Sequence, residues 1–519
     1  MRIPPLNSDE GPMYDYCMNE FPSPKGSLAY QVRRIGRFRC AAKALIGAGL
    51  IAGTISAAAG PACAAERTRL QIQPASLTFG NLHAGSTSPA QFVTLSNPGA
   101  DEIQIASIDV TGQFMTTNDC GATIAPGDSC RIWVQFAPLA IRKTHGQSES
   151  GKLAITYGPL GKPKARTNKV HLHGRAFGTA STYIANFGGA SLSAYPFGAS
   201  GDVGPTSTIS GAETGLSNPF GIALDSTGNI YVANLSGGAS NLGSVTVYAA
   251  GASGDAAPIE NISGPDTGLN YPWGIAVDSS GSLYVANIGP CCDPSCGESI
   301  TIYSAGSNGN AAPIATIPAD STTKLNSPYG ITFDAAGRLW VADYGGGPSG
   351  IGAITVYPPG ANGEAAPIIN ITGDTAGDSN AGLDGPDAVA LDAAGNIYAT
   401  NGLGASLTIY PAGSNGNVSP SARLHGVNTG LTVAEMNIAV DYARNIYVLN
   451  STFGYDLDPP FDIAALISQA PPVWNGSPSG YLIVFPPNSD GDATPSSVLS
   501  GPSTELFQPW GYAVGPSTP

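Results

Sequence analysis

Five times the chain writes a short apolar strand that ends in aspartate. Asp225, Asp278, Asp334, Asp392 and Asp441 close segments of the type "GIAVD", at spacings of 53, 56, 58 and 49 residues. A turn containing Gly or Asn follows each, and then a second strand such as "NIYVAN" from Asn229. A third strand ("SVTVY", Ser244 to Tyr248), a "GASGD"-like turn and a fourth strand ("APIENISG") complete the unit. A self-similar period of this length constrains the fold more than any other feature, because each unit must bury its faces against its neighbours.

Four strands in about 50 residues is the arithmetic of a β-propeller blade. Complete units start near Pro219, Pro272, Pro328, Pro386 and Glu435. Ahead of them, "STYIAN" from Ser181 and "SLSAYPF" are second and third strands without a first. At the other end, "PWGYAV" from Pro509 is a first strand without a second. Joined, the two pieces make a sixth blade. The expectation for 181–519 is therefore a six-bladed propeller closed by pairing of its N- and C-terminal strands, which removes open sheet edges and ties down the terminus. Composition agrees with an all-β chain: 68 Gly, 43 Pro and only 11% charged residues suit many turns and little helix. The repeats resemble NHL-repeat β-propellers over about 340 residues.

The stretch 66–175 reads differently. Short alternating segments ("SLTFGNL", "QFVTLSN", "CRIWVQFAP", "GKLAITY", "KVHLHG") are separated by turn residues at sandwich spacing. "LTFGNLHAGSTSPAQFVTLSNPG", the Cys120 to Cys130 loop, "VQFAP" and a last strand ending at Gly174 resemble the immunoglobulin-like modules of choice-of-anchor D or ASH/Hydin type. That resemblance implies an immunoglobulin-like β-sandwich acting as a spacer or adaptor. His171 and His173 lie two apart on one strand, as sheet-surface residues or as a metal pair.

Residues 1–64 read as an N-terminal extension and signal peptide. Arg33, Arg34, Arg37, Arg39 and Lys43 precede an apolar, small-residue run from Ala44 to Gly60, and Ala62-Cys63-Ala64 offers a cleavage site after Ala64. The expected location is secreted or periplasmic, with no membrane span in the mature chain. Cys120 and Cys130 flank a hairpin-sized loop and are expected to form a disulfide in an oxidising compartment. Cys291, Cys292 and Cys296 crowd one insertion, and their pairing stays open. After Arg175 the chain carries four Lys/Arg against 26 Asp/Glu. Such a surface repels phosphate backbones, so nucleic acid is excluded as a partner.

Strand alternation places the start of each first strand and the loops from second to third strand on one face, here called the upper face. The turns from first to second strand ("DSTGN") and from third to fourth strand ("GASGD") lie on the opposite, turn face. Insertions gather on the upper face, above all Ser451 to Gly480, where a helical turn is expected. Two positions recur there. Phe220, Trp273, Tyr329, Asp387, Met436 and Trp510 stand just before the first strands. Asn234, Asn287, Asp343, Asn401 and Asn450 lie 14 residues further on in the complete units, with Asn186 in the shared one. As a ligand-binding set, Phe220, Trp273, Tyr329, Asp387 and Trp510 with that Asn/Asp ring would suit a peptide, a carbohydrate or an apolar ligand with a polar handle. Alternatively the aromatics wedge between blades and the amides satisfy loop backbone. On the ligand-site reading, Ala at Trp273 and Trp510 abolishes capture and leaves the fold intact.

Three function classes remain. The first is an exported, non-catalytic binding or scaffold protein using the propeller's upper face to recognise a protein, peptide or carbohydrate. The second is a Ca²⁺-dependent lactonase or esterase, which Asp343, Asp387, Glu435 and the Asn ring keep open. The third is a structural cell-envelope protein. Propeller lyases work through histidine, whereas His425 is the sole histidine after His173. No catalytic residues, cofactor or metal site are assigned beyond the possible Ca²⁺, for which the "G-x-x-G-D/N" turns are the other candidates.

Overall fold

The computed structural model describes residues 69–139, 147–161, 165–238, 241–290, 297–348, 350–372, 381–433, 436–451 and 480–516. Residues 1–64, Glu435, the cysteines at 291, 292 and 296 and the expected helical turn after Ser451 lie outside them. All regular elements among the described residues are strands, apart from one short 3-10 turn at Pro502–Thr504.

Residues 71–177 form two sheets over one core. The four-stranded sheet runs Gln71–Gln73, Gln91–Ser96, Ser129–Phe136, Phe114–Asn118. The five-stranded one runs Ser76–His83, Arg166–Phe177, Gln147–Pro159, Ile103–Thr111, Thr123–Ile124. Alternation drives the arrangement: in Ser129–Phe136, Cys130, Ile132, Val134 and Phe136 turn inward while the residues between them stay partly or fully exposed. Phe79, Phe114 and Phe136 meet at the centre of that core, with Phe114 and Phe136 5.1 Å apart. The expected disulfide is present, Cys120 bonded to Cys130.

The remainder is a β-propeller of four-stranded antiparallel sheets. Sheet A spans Pro219–Ile262, B Pro272–Pro318, C Pro328–Ile371, D Pro386–His425 and E Met436–Leu499. In a further sheet, F, Pro509–Pro516 pairs with Ala180–Asn186, followed outward by Ser191–Pro196 and Ser207–Ile209. Each first strand touches the first strand of the next sheet. Pro509–Pro516 touches Met436–Val440 on one side and Pro219–Leu224 on the other.

The "Pro-aromatic-Gly" start of the first strand is a β-bulge. Pro219 pairs with Asn234 and Ile222 with Val232, so Phe220 and Gly221 together oppose one residue. The same shift falls at Trp273-Gly274 and Tyr329-Gly330. Sheet E reads "EMN" instead and pairs Met436 with Asn450 and Asn437 with Leu449 with no shift. A bulge bends a strand and re-aims a side chain; here it frees the aromatic from the blade interface. The glycine follows from crowding. A Cβ at Gly274 would fall on the carbonyl oxygen of Tyr329, one at Gly221 on that of Trp273, and one at Gly511 on that of Phe220. Only a residue without a side chain lets neighbouring first strands approach so closely.

The repeat's other signatures are local locks. In sheets A, B and C a tyrosine ending the third strand donates its hydroxyl to a loop carbonyl before the first strand: Tyr248 to Thr214, Tyr303 to Thr267 and Tyr357 to Thr323. The turn-face residues Asp202, Asp255, Asn310 and Asp492 accept backbone N–H groups of Ser503, Glu213, Asp266 and Asn428. These side chains lock one sheet to the next.

Candidate functional site

The four aromatic site residues expected at the starts of the first strands do converge, but on one another. Phe220, Trp273, Tyr329 and Trp510 are buried in one apolar cluster. Phe220 and Trp273 ring centres are 3.7 Å apart, Phe220 and Trp510 3.8 Å, Trp273 and Tyr329 4.6 Å. They close the upper end of the central channel as a plug, rather than standing as separate walls around an open site. A second apolar layer escaped sequence reasoning. Phe187, Leu235, Ile288 and Tyr344 join the cluster, each one residue beyond a member of the Asn/Asp ring. Phe187 stacks on Trp510 at 4.9 Å and Tyr344 on Tyr329 at 4.6 Å. The signal was in the register: a residue one place beyond an inward position lies one layer up. In sheet D both layers change together, to Asp387 and Gly402; a Cβ on Gly402 would meet the Asp387 carboxylate.

The Asn ring is fully buried, and its amides hold loop backbone. The Asn234 Oδ1 accepts the Ser217 N–H at 3.1 Å, while its Nδ2 donates to Thr246 Oγ1 at 3.0 Å and the Val232 carbonyl at 3.4 Å. Asn287 does the same with Asn270, Thr301 and Val285. Asn401 engages Asp384, Thr408 and Ala399. Asn186 engages Phe507, Ser191 and Ser193, and Asn450 donates to the Val448 carbonyl. The amides of Asn186, Asn234, Asn287 and Asn401 thus fasten the loop ahead of the first strand to the end of the second, whereas the Asn450 Oδ1 has no hydrogen-bond partner.

Asp343 occupies the same position in sheet C with a carboxyl in place of an amide. Its Oδ1 accepts the Asn326 N–H at 2.7 Å, but its Oδ2 has no hydrogen-bond partner. In the Asn sheets that second atom is a donor facing a backbone carbonyl and a hydroxyl. An ionised oxygen there would have no donor in place. Burial holds the Asp343 carboxyl well above the usual carboxylate range, the Asn326 N–H opposes this, and the charge of Glu298 adds to it. The protonated acid then imitates asparagine. Because the folded state keeps a proton that the unfolded chain releases near pH 4, stability is full below that pH and falls as pH rises toward the folded value. Asp343→Asn is expected to remove this dependence. Its melting midpoint should exceed the parent's by a margin that widens from pH 4 to pH 8; parallel curves would reject the protonated state.

Below the plug lies a cavity of about 740 Å³. Its floor is Phe220, Trp273, Trp510 and Asp387, and its walls are the first strands. Each of these strands ends its sheet, so one backbone edge of each has no strand neighbour. At the turn face the cavity reaches Asp225, Asp278, Asp334 and Asp441, and the sandwich contributes Ser86, Thr87, Ser88, Gln135 and Leu139. The sandwich docks beside this mouth: Thr116 N–H and Oγ1 both donate to the Ala393 carbonyl.

The mouth aspartates are turn organisers. Asp225 accepts the N–H groups of Thr227 and Asn229, Asp278 those of Ser280 and Ser282, and Asp334 those of Ala336 and Arg338. Asp441 takes Asn445 twice and the Tyr447 hydroxyl. These bonds engage each carboxylate in its own turn, and Arg338 Nε adds an ion pair to Asp334 at 2.5 Å. His171 and His173 stack on the sandwich surface with ring centres 6.5 Å apart, away from any cluster of metal-ligating side chains found among the described residues.

A sequence model of the NHL repeat matches residues 269–292, the stretch holding Trp273 and Asn287. The β-propeller part of the chain carries that repeat at this stretch. No curated protein matches it in sequence. Among solved structures it is similar to a Bacteroides caccae protein of unknown function, at 10% identity over 64% of this chain and 98% of the other, with a TM-score of 0.41. It is similar to virginiamycin B lyase of Staphylococcus aureus at 13% identity over 73% and 95%, with a TM-score of 0.31. YCF48 bound to D1 peptide is a third, at 10% identity over 54% and 67%, with a TM-score of 0.30.

Proposed function

We propose that the chain is an exported, non-catalytic binding protein. In this reading residues 181–519 are a six-bladed propeller closed by the Ala180–Asn186 and Pro509–Pro516 pair, and 66–175 is an immunoglobulin-like spacer or docking module. Export is supported by the basic, apolar and A-x-A pattern of residues 33–64 and by the Cys120–Cys130 bond. The partner is a protein, a peptide or a carbohydrate, met by the propeller's upper face and its insertions or admitted to the channel.

The observation that carries this reading is the cavity with an aromatic floor. Four of its aspartates are tied to turns and Asp387 lies apart at the floor, so they form no group at ligand distance among the described residues. That arrangement favours recognition over Ca²⁺-dependent hydrolysis. The test is to probe the mature chain on peptide and glycan arrays while titrating Ca²⁺ by calorimetry and assaying a lactone and ester panel. Capture without turnover is the expected result. Calcium uptake with lactone hydrolysis would replace the binding reading with the hydrolase.

A further inference from the structure

We infer that the channel beneath the plug is itself a ligand site, and that it takes organic cations: molecules bearing an ammonium or guanidinium group on a compact apolar body. This deepens the binding reading and rests on it.

Three features of the cavity converge. Its volume of about 740 Å³ lies within the usual range of small-ligand pockets. Its lining carries five aspartates, Asp387 at the floor and Asp225, Asp278, Asp334 and Asp441 at the mouth, and not one Lys, Arg or His among the described residues. Low-dielectric walls focus a field of single sign, so an anion is repelled and a cation is concentrated. Asp225, Asp278 and Asp441 are held in their turns by uncharged donors, whereas Asp334 is ion-paired with Arg338, Nε to Oδ2 2.5 Å, so the field rests on the other carboxylates. The floor supplies the complement, since indole and phenyl faces attract a cation and accept an apolar body. The indole N–H of Trp510 is buried in that floor with no acceptor within the protein. The sandwich side of the lining is neutral and offers Ser88 and Gln135, so it does not cancel the field.

The test compares one molecular body in three charge states. Benzylammonium, benzyl alcohol and benzoate are titrated into the mature protein, followed by tryptophan fluorescence and calorimetry. A lysine-terminated dipeptide amide distinguishes a peptide-borne cation from a free amine. Benzylammonium is expected to bind and to weaken between 0.05 and 0.5 M salt as screening shortens the field, and benzoate to give no signal. Asp278→Asn keeps the Oδ1 acceptor of its turn and removes the charge. It should weaken benzylammonium by up to about fivefold, the scale of one partly screened ion pair, with the melting midpoint unchanged. Equal affinity for benzyl alcohol, or no response to either cation, overturns the proposal. Capture on the arrays with no cation binding would leave the general binding reading standing and remove this site. Cation binding with blank arrays would do the reverse.

Discussion

Removal of residues 509–519 is expected to lower the melting midpoint of the propeller by about 10 °C or more and to promote association. Pro509–Pro516 is the innermost strand of its sheet, paired from Ala180 with Pro516 to Asn186 with Pro509. It buries Trp510 and Tyr512, each 5% exposed. Loss of one buried tryptophan side chain alone costs about 3–5 kcal/mol, and each kcal/mol shifts the midpoint of a domain of this class by about 2–4 °C. The deletion also bares the edge of Ala180–Asn186 and the flanks of Pro219–Leu224 and Met436–Val440, which Pro509–Pro516 touches. Exposed strand edges are templates for intermolecular pairing. Thermal melts and light scattering over a concentration series measure both effects. A truncated chain that melts and sizes like the parent would contradict the strand's closing role and the count of six with it.

The repeat made the architecture legible because propeller blades are nearly independent copies. A four-strand unit leaves its mark on sequence as spacing, and the 14-residue interval between the two recurring positions is the length of a hairpin. The partner strands of Pro509–Pro516 were likewise readable, because a first strand without a second has one place to go. The role of the aromatics was not readable from spacing, since a ring of inward side chains looks the same whether it frames a hole or fills it. What decides is the closeness of the first strands, and that is set by Gly221, Gly274 and Gly511, whose missing Cβ atoms leave room for the next strand's carbonyl. Those glycines stood in the motif and carried the answer. The amides were legible as loop fasteners only in kind: Asn234 and Asn287 show the pattern, and Asp343 shows its exception, which needs a burial that sequence does not display. The seat of the sandwich at the turn face was invisible, because Thr116 and Ala393 lie 277 residues apart with nothing in either segment to announce a contact.

Trp273→Ala is expected to destabilise the propeller by about 3–5 kcal/mol, at the high end of single substitutions. This departs from the expectation that the ring tolerates truncation. Trp273 is 5% exposed and touches Phe220, Tyr329 and Trp510 within the plug, so its removal leaves a void that rigid bulged strands cannot close. Adding Trp510→Ala should cost less than a second full increment, because the two rings face each other at 5.5 Å and residues in contact do not contribute independently. Tyr344→Ala offers the contrast. Tyr344 is only partly buried and stacks on Tyr329 from the upper layer, so its loss should cost about 1 kcal/mol, the worth of an aromatic pair. Denaturant titrations of the three variants rank them directly. If Trp273→Ala keeps the parent's midpoint while Tyr344→Ala loses it, the lower layer is not the plug. If the ranking is as expected, a loss of ligand in Trp273→Ala reports a collapsed floor, and Asp278→Asn becomes the substitution that reads binding apart from folding.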